Sequence, residues 1–361
     1  MKRFFGFLVL FFLISLLIVA IVVRAWVLSI TWDEAYTICV YAANGHNIFS
    51  PKDFLPNNHI FHTILVWLLF QAAPWQEGIL RLPAVFAGIG TVLLLWRFGV
   101  FLFGSTSNAA KSNQYQNTFQ YQNTFFLIAI VSLHPLVFQF FSFARGYSLS
   151  LFFSLLGFYF LLRLLHRNFS SDSFELDWRF LFAAGISFGL SVASNLTAAF
   201  MNSSILFTAF LFWLRFGSAK SKAVLPIIFW FGIPGALIVC ALYAPVFLYV
   251  PMGQFNYATG SPLEGILDPV SWTLGNSIIV PPESITRLLF GIPVPEELFW
   301  ILLTLFPFVI MLPVLLLALT ITVSLIRSRN AVFRPNNLAI LIVLGGLLCY
   351  VTILLVANGF G

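Results

Sequence analysis

Charged residues and cysteines are scarce in this chain. Only 8% of its 361 residues carry a charge, whereas charged residues make up roughly 25% of ordinary soluble domains. The three cysteines, Cys39, Cys240 and Cys349, are odd in number and lie far apart. Their spacing predicts neither a disulfide framework nor a zinc site. These absences exclude an ordinary soluble domain and argue against a scaffold built on cysteines.

Long apolar runs take the place of the missing charge. Hydrophobic residues make up 60% of the chain, and the mean hydropathy is +0.97. This composition predicts an all-α polytopic membrane protein with about nine transmembrane helices. The expected spans are roughly 4–30, 80–103, 125–143, 146–165, 180–198, 199–215, 224–243, 298–326 and 337–357. No cleavage site made of small residues follows the first span, so we expect this span to stay uncleaved.

The run 59–73 is apolar but short, and this length is typical of an interfacial helix rather than a span. If the run lies in the interface and the amino terminus is cytoplasmic, most lysines and arginines fall inside, as the positive-inside rule requires. The net charge of +6 then reflects basic residues retained in the cytoplasmic loops and not nucleic-acid binding. The composition favours a bacterial inner membrane. Nine acids are expected outside: Asp33, Glu34, Asp53, Glu77, Glu264, Asp268, Glu283, Glu296 and Glu297.

Two outer segments are long enough to build a site. The first is 31–82, and the second, 244–297, is rich in proline and glycine. The chain therefore divides into a transmembrane core over 1–243, which includes the first outer loop, a second outer loop over 244–297, and carboxyl-terminal helices over 298–361. His134-Pro135 predicts a kink in the third span. A tandem hexapeptide, 114–119 repeated as 120–125, is placed in a cytoplasmic loop over about 104–124.

Asp33 and Glu34 are the candidates for catalysis. Two adjacent carboxylates directly behind a membrane span cost free energy unless they lie in water, in a metal site or in a catalytic pocket. An outward-facing carboxylate can accept the proton of an attacking hydroxyl. Arg145, at the tip of the hairpin between spans three and four, suits the phosphate of a membrane-embedded lipid. The alternatives are a solvated acid pair that ends a helix, and an arginine that snorkels to lipid headgroups.

Further residues join these candidates at the outer side. Arg81, Tyr147 and Lys52 are expected at a donor phosphate, although headgroup contact for Arg81 and plain solvation for Lys52 are alternatives. The spacing of His59 and His62 lets them share a helix face, and together with Glu34 they form a candidate divalent-metal site. The alternative is that both histidines lie on the water-facing side of an interfacial helix. No other cofactor is expected.

Four segments in the same order carry a family resemblance. They are Asp33-Glu34-Ala35-Tyr36, the loop Asn57-Asn58-His59-Ile60-Phe61-His62, the run from Arg81 to Gly88, and Ala144-Arg145-Gly146-Tyr147. Over about residues 1–215 the chain resembles the GT-C superfamily of polyprenyl-phosphate-sugar-dependent glycosyltransferases, in particular family 39 and the aminoarabinose-transferase-like branch. The resemblance implies a GT-C-type helical bundle with juxtamembrane helices in the first outer loop.

The resemblance also implies an activity. Asp33 matches the acidic residue that serves as catalytic base or positions the acceptor, and Glu34 is its neighbour. The expected reaction is inverting transfer of a sugar from a polyprenyl-phosphate donor to a hydroxyl of an acceptor glycan, lipid or protein. Tyr36, Asn57, Asn58, His59 and His62 belong to the loop that faces donor and acceptor. The rival function is a lipid or solute transporter or flippase, although its usual midplane charges and repeats are not evident; a non-catalytic scaffold is the third option.

Overall fold

The computed structural model describes residues 2–50, 58–104, 113–170, 177–216, 225–249 and residue 342. Within these ranges the chain is mostly helical and contains no β-strand. Four helical segments are long and apolar enough to cross a membrane: Phe4–Val27, Leu82–Phe103, Tyr147–Arg167 and Leu225–Val246. These segments indicate an integral membrane protein, and the described part of the chain agrees with the predicted all-α membrane fold. The second outer loop beyond residue 249 and the predicted spans 298–326 and 337–357 lie outside the described residues, apart from Ile342.

The helices follow one another with short connections. The first outer segment follows helix α1 (Lys2–Val27) and contains α2 (Trp32–Tyr36), a π-helical turn (Thr37–Ala42), a 3₁₀ turn (Gly45–Phe49), α3 (Ile60–Ala72) and α4 (Glu77–Leu80). The bundle continues with α5 (Leu82–Phe103), α6 (Asn113–Ser132), α7 (Pro135–Phe140), α8 (Tyr147–Ser170), α9 (Trp178–Ser194) and α10 (Ala198–Phe216). A π-helical turn (Ile228–Gly232) precedes α11 (Ile233–Tyr249).

Two apolar clusters hold the bundle together. Helices α1, α5, α6 and α7 share the first, which includes Leu17, Ile21, Val92 and Phe141. The second joins α5, α8, α9 and α10. The outward face of α1 remains apolar and exposed: its Phe4 side chain is 71% exposed. Exposed apolar surface of this kind is stable only in lipid.

Small residues let α9 and α11 approach closely. A Cβ atom added to Gly189 would lie 2.8 Å from the backbone oxygen of Gly235. Close backbone contact through glycine is a common way for membrane helices to associate. Gly146, just before the start of α8, lies against the Ser194 carbonyl and the His59 side chain. The end of the bundle that carries the α8 amino terminus is called the site end below.

A buried polar cluster joins α8, α9 and α10. The Ser154 hydroxyl donates to the Asn202 side-chain oxygen at 2.9 Å, and the Asn202 amide nitrogen donates to the Ser191 hydroxyl at 3.0 Å. The hydroxyls of Ser150 and Ser191 lie 3.2 Å apart. Because these groups bond one another, they satisfy their own polarity inside the apolar bundle.

Several boundaries differ from the predicted spans. Helix α6 begins at Asn113, so the whole hexapeptide repeat, 114–125, is helical and does not lie in a loop. Hydropathy placed the start of this helix near residue 125 because the residues before it are polar. The predicted break at His134-Pro135 is confirmed: α6 ends at Ser132 and α7 begins at Pro135. Helix α11 extends to Tyr249, a few residues into the segment assigned to the second outer loop.

The run predicted to lie in the interface forms helix α3. Its 13 residues span about 20 Å, which is less than the roughly 30 Å hydrocarbon core of a bilayer. Helix α3 packs on the π-helical turn 37–42 and on α9, and its Ile60 belongs to an apolar cluster with Tyr243 and Val246 of α11. The first outer segment is therefore seated on the bundle.

Candidate functional site

Glu34 caps its own helix from inside the protein. The Thr31 hydroxyl accepts a hydrogen bond from the Glu34 backbone N–H, and the Glu34 carboxylate accepts one from the Thr31 backbone N–H at 2.9 Å. This reciprocal capping box sets the start of α2. The Glu34 side chain is fully buried, so its charge needs partners within the protein.

Arg81 supplies that partner. Its Nε donates to Oε1 of Glu34 at 2.8 Å, and its Nη2 donates to Oε2 at 3.0 Å. The remaining guanidinium donors reach backbone carbonyls at the end of α1: Nη1 contacts Ala25 at 2.9 Å and Leu28 at 2.7 Å, and Nη2 contacts Ser29 at 3.2 Å. All five N–H donors of the guanidinium are thereby used.

This geometry corrects the role predicted for Arg81. A guanidinium that is 1% exposed and fully engaged has no donor left for a lipid phosphate. Instead, Arg81 satisfies carbonyls that the end of α1 leaves without helical partners and neutralises Glu34. The residue ties the end of α1 to the start of α5.

Glu34 also holds the segment that carries Arg145. The backbone N–H of Ala144 donates to Oε1 of Glu34 at 2.6 Å. Burial raises the pKa of Glu34, but the hydrogen bonds from Arg81, Ala144 and Thr31 favour the carboxylate more strongly, so the pKa lies below its ordinary value. Glu34 is therefore a charged positioning residue, and the structure gives it no place among groups that could touch a substrate.

Asp33 and Arg145 meet at the site end. Nη1 of Arg145 lies 2.6 Å from Oδ2 of Asp33. The Arg145 side chain is 6% exposed and that of Asp33 is 53% exposed, so the guanidinium is fixed by the protein while the carboxylate remains accessible. The centroid of the Tyr147 ring lies 5.4 Å from the guanidinium carbon of Arg145, and the Phe140 ring stacks on Tyr147 with centroids 4.4 Å apart. Contact with the Tyr147 ring therefore helps to fix the position of the Arg145 guanidinium.

A cavity of about 280 Å³ opens beside this ion pair. It combines aromatic rings with one carboxylate, one guanidinium and one amide. Its lining residues are Trp32, Asp33, Tyr36, Thr37, Tyr41, Asn58 and Arg145. The volume is close to the lower end of small-molecule sites, which span roughly 300–1,000 Å³.

Asn58 and Tyr36, which the sequence analysis assigns to the loop facing donor and acceptor, both line the cavity. Asn58 donates to the Ile48 carbonyl at 3.2 Å and accepts from the Thr63 hydroxyl at 2.9 Å. These bonds fix the amide at the start of α3. The predicted residues Lys52 and Asn57 lie outside the described residues.

His59 and His62 are buried beneath Arg145. Burial lowers the pKa of both imidazoles, and the positive charge of Arg145 lowers it further, so that the pKa of His62 falls to about 3. Both are neutral at pH 7. The His59 ring packs edge-on against Tyr147 at 4.7 Å. Histidines expected on the wet side of an interfacial helix thus face the interior instead.

The structure also corrects the metal interpretation. Both carboxylate oxygens of Glu34 are occupied by Arg81, Ala144 and Thr31, and Arg145 places a positive charge beside the two histidines. Among the described residues, no group of three or more histidines, cysteines, aspartates or glutamates is placed to hold a metal ion. Glu34, His59 and His62 therefore do not form the predicted site.

Two participants escaped the sequence reasoning. Ala144 acts through its backbone N–H, and no side-chain pattern reports such a contact. Thr31 was detectable, because threonine followed three residues later by glutamate is the signature of a capping box. Comparisons of the chain with protein-family models, with curated proteins and with solved structures found no match.

Proposed function

We propose that this chain is an integral-membrane inverting glycosyltransferase that transfers a sugar from a polyprenyl-phosphate donor to an acceptor hydroxyl. The observation that carries the proposal is the Asp33–Arg145 pair at 2.6 Å beside a cavity at one end of a membrane bundle. A base and a cation side by side suit displacement at an anomeric carbon, where a hydroxyl loses a proton as a phosphate leaves.

Each group has one task in the proposed reaction. The acceptor oxygen attacks the anomeric carbon and forms the new glycosidic bond, while the bond from that carbon to the phosphate oxygen breaks. Asp33 accepts the hydroxyl proton. The polyprenyl phosphate leaves with the electron pair, and Arg145 stabilises its charge. A guanidinium has five donors and can hold a carboxylate and a phosphate together.

The finer assignments belong to the same proposal. They are a GT-C-type bundle of about nine spans, a cytoplasmic amino terminus and a periplasmic or extracellular site, which the charge asymmetry of the loops supports. A bacterial inner membrane is the proposed location. The partners are the lipid bilayer, the lipid-linked donor and an acceptor glycan, lipid or protein.

The bundle interior favours an enzyme over a transporter. Transporters commonly place polar or charged groups along a path at the membrane midplane. Here Ser154, Ser191 and Asn202 bond one another and join helices α8, α9 and α10. Ionisable groups of the described site gather at one end of the bundle instead.

The test is a transfer assay with purified protein in lipid nanodiscs. Undecaprenyl-phosphate glucose, mannose, galactose and aminoarabinose are offered as donors, each with and without a membrane extract as acceptor source, and release of undecaprenyl phosphate is measured. We expect release with at least one donor and loss of at least 100-fold in Asp33→Asn and Arg145→Met.

The matched control is Glu77→Gln, since Glu77 is a half-exposed acid at the same end but outside the cavity. It should turn over like the natural protein. Wild-type turnover in Asp33→Asn would remove Asp33 from the mechanism. Movement of the donor across a vesicle membrane without sugar release would replace the enzyme by a flippase.

A further inference from the structure

We propose that Trp32 is the stacking platform of a subsite in the cavity for a neutral pyranose ring. The inference rests on the proposed function and deepens it, because it assigns the residue that holds the sugar ring beside the ion pair.

The first observation is the exposure of Trp32. Its side chain is 81% exposed, which is the largest value among the exposed large hydrophobic residues of the described chain. It stands in a five-residue helix directly before Asp33, and among the described residues no aromatic ring packs against it. Exposing an indole in this way forgoes a large amount of burial free energy, so a ligand that covers the ring gains that free energy.

The second observation is what the indole faces. Other exposed tryptophans at the site end pack on neighbours: Trp26 lies against Gly78, and the Trp75 ring meets Phe70 edge-on at 5.1 Å. Trp32 instead lines the cavity with Asp33 and Arg145. A tryptophan that only anchors the protein in the interface has no need to line a polar cavity.

The charge of the cavity restricts the class of ligand that it can bind. Among the lining residues that the structure describes, the single carboxylate and the single guanidinium form a pair at 2.6 Å, so their formal charges cancel. A neutral ring suits these cancelled charges, and the phosphate of the proposed donor needs Arg145 alone. The remaining lining groups are the rings of Trp32, Tyr36 and Tyr41, the Thr37 hydroxyl and the Asn58 amide.

A pyranose ring fits this combination. One face of the sugar presents C–H groups with partial positive charge, which are attracted to the negative face of an indole. Its hydroxyls can donate to Asp33 and accept from Arg145. The indole thus holds the ring by its apolar face, and the ion pair reads its polar edge.

The experiment measures glycoside binding at Trp32 itself. Protein labelled with 5-fluorotryptophan is placed in nanodiscs, and the ¹⁹F resonance of Trp32 is assigned with Trp32→Phe. Methyl glycosides of glucose, mannose, galactose and arabinose are titrated. We expect a saturable shift of the Trp32 resonance with at least one glycoside. In unlabelled protein, saturation-transfer NMR should show affinity about tenfold weaker in Trp32→Ala and within about threefold of wild type in Trp32→Phe.

Trp75→Ala is the matched control, because Trp75 is exposed at the same end but does not line the cavity; it should leave binding unchanged. Three results overturn the proposal: no glycoside shifts Trp32, Trp32→Ala binds as tightly as wild type, or a spin-labelled phospholipid broadens Trp32 as strongly as it broadens Trp75, which marks a membrane anchor.

The transfer assay on the same samples separates this inference from the proposed function. Transfer that does not depend on Trp32 leaves the enzyme in place and removes the subsite. Glycoside binding that depends on Trp32, without transfer from any donor, keeps the subsite and removes the enzyme.

Discussion

Asp33 and Glu34 are adjacent in the chain, yet we expect the isosteric changes Asp33→Asn and Glu34→Gln to have opposite effects. Glu34 is fully buried and bonded to Arg81, Ala144 and Thr31. Asp33 is about half exposed and makes its ion pair with Arg145 at the mouth of a cavity. Glu34→Gln should therefore reduce stability, and Asp33→Asn should reduce activity alone.

The magnitudes follow from burial. Removing one partner of a buried ion pair costs ~3–5 kcal/mol, because the other charge stays buried and unpaired. In Glu34→Gln, the new amide also presents N–H donors where Arg81 or the Ala144 N–H needs an acceptor. Asp33 is about half exposed, and an asparagine there still offers an oxygen that accepts from the buried Arg145. Asp33→Asn should therefore cost ~1 kcal/mol or less.

The assay is reversible unfolding in mixed micelles by titration with sodium dodecyl sulfate, run beside the transfer assay. The double variant Glu34→Leu/Arg81→Met should lose less stability than the sum of its single changes, because no unpaired charge remains. Additive losses, or a Glu34→Gln protein as stable as wild type, would refute the buried ion pair. A loss above ~2 kcal/mol in Asp33→Asn would refute the division of roles, since it exceeds the range for exposed pairs.

Three further predictions concern the two buried histidines, the contact at Gly146 and the polar cluster around Asn202. His59 and His62 have folded-state pKa values below the ordinary 6.5, so below that pH the unfolded chain binds more protons than the folded protein. Each histidine should therefore cost ~1.4 kcal/mol of stability per pH unit as the pH falls from 6.5. The stability of the double variant His59→Gln/His62→Leu should depend less on pH. Gly146→Val should destabilise the fold and lower transfer in the same assays, because its side chain would collide with the Ser194 carbonyl and with His59, whereas Gly232→Ala, at a glycine with open space around it, should do neither. Asn202→Leu should cost ~1–2 kcal/mol in the unfolding titration, because it removes hydrogen bonds within the membrane bundle; an unchanged midpoint would contradict the polar cluster.

The sequence predicts the meeting of Asp33 and Arg145 because the prediction needs only sidedness. Charge asymmetry between loops places both residues at one membrane surface, and the compact end of the bundle leaves little room to keep them apart. The structure then supplies the 2.6 Å contact. In the same way, apolar runs predict α1, α5 and α8, since length and hydropathy suffice to recognise a span.

The role of Arg81 is not predictable in this way. For an arginine at the start of a span, the sequence alone does not decide between a phosphate ligand and a headgroup contact. What decides its role is the position of three carbonyls at and after the end of α1, those of Ala25, Leu28 and Ser29, and of the Glu34 carboxylate. These are distances between segments that lie far apart in the chain, and no local pattern encodes them.

The different fates of two neighbouring acids follow from the geometry of α2. Successive residues of a helix point about 100° apart, so Asp33 and Glu34 cannot face the same surroundings. Glu34 points into the bundle and binds the Ala144 N–H, and the next residue along the chain is Arg145. The buried pair thus fixes the backbone from which the cavity cation projects. Variants of Arg81 should therefore lose transfer together with stability although Arg81 touches no substrate, whereas variants of Asp33 should lose transfer alone.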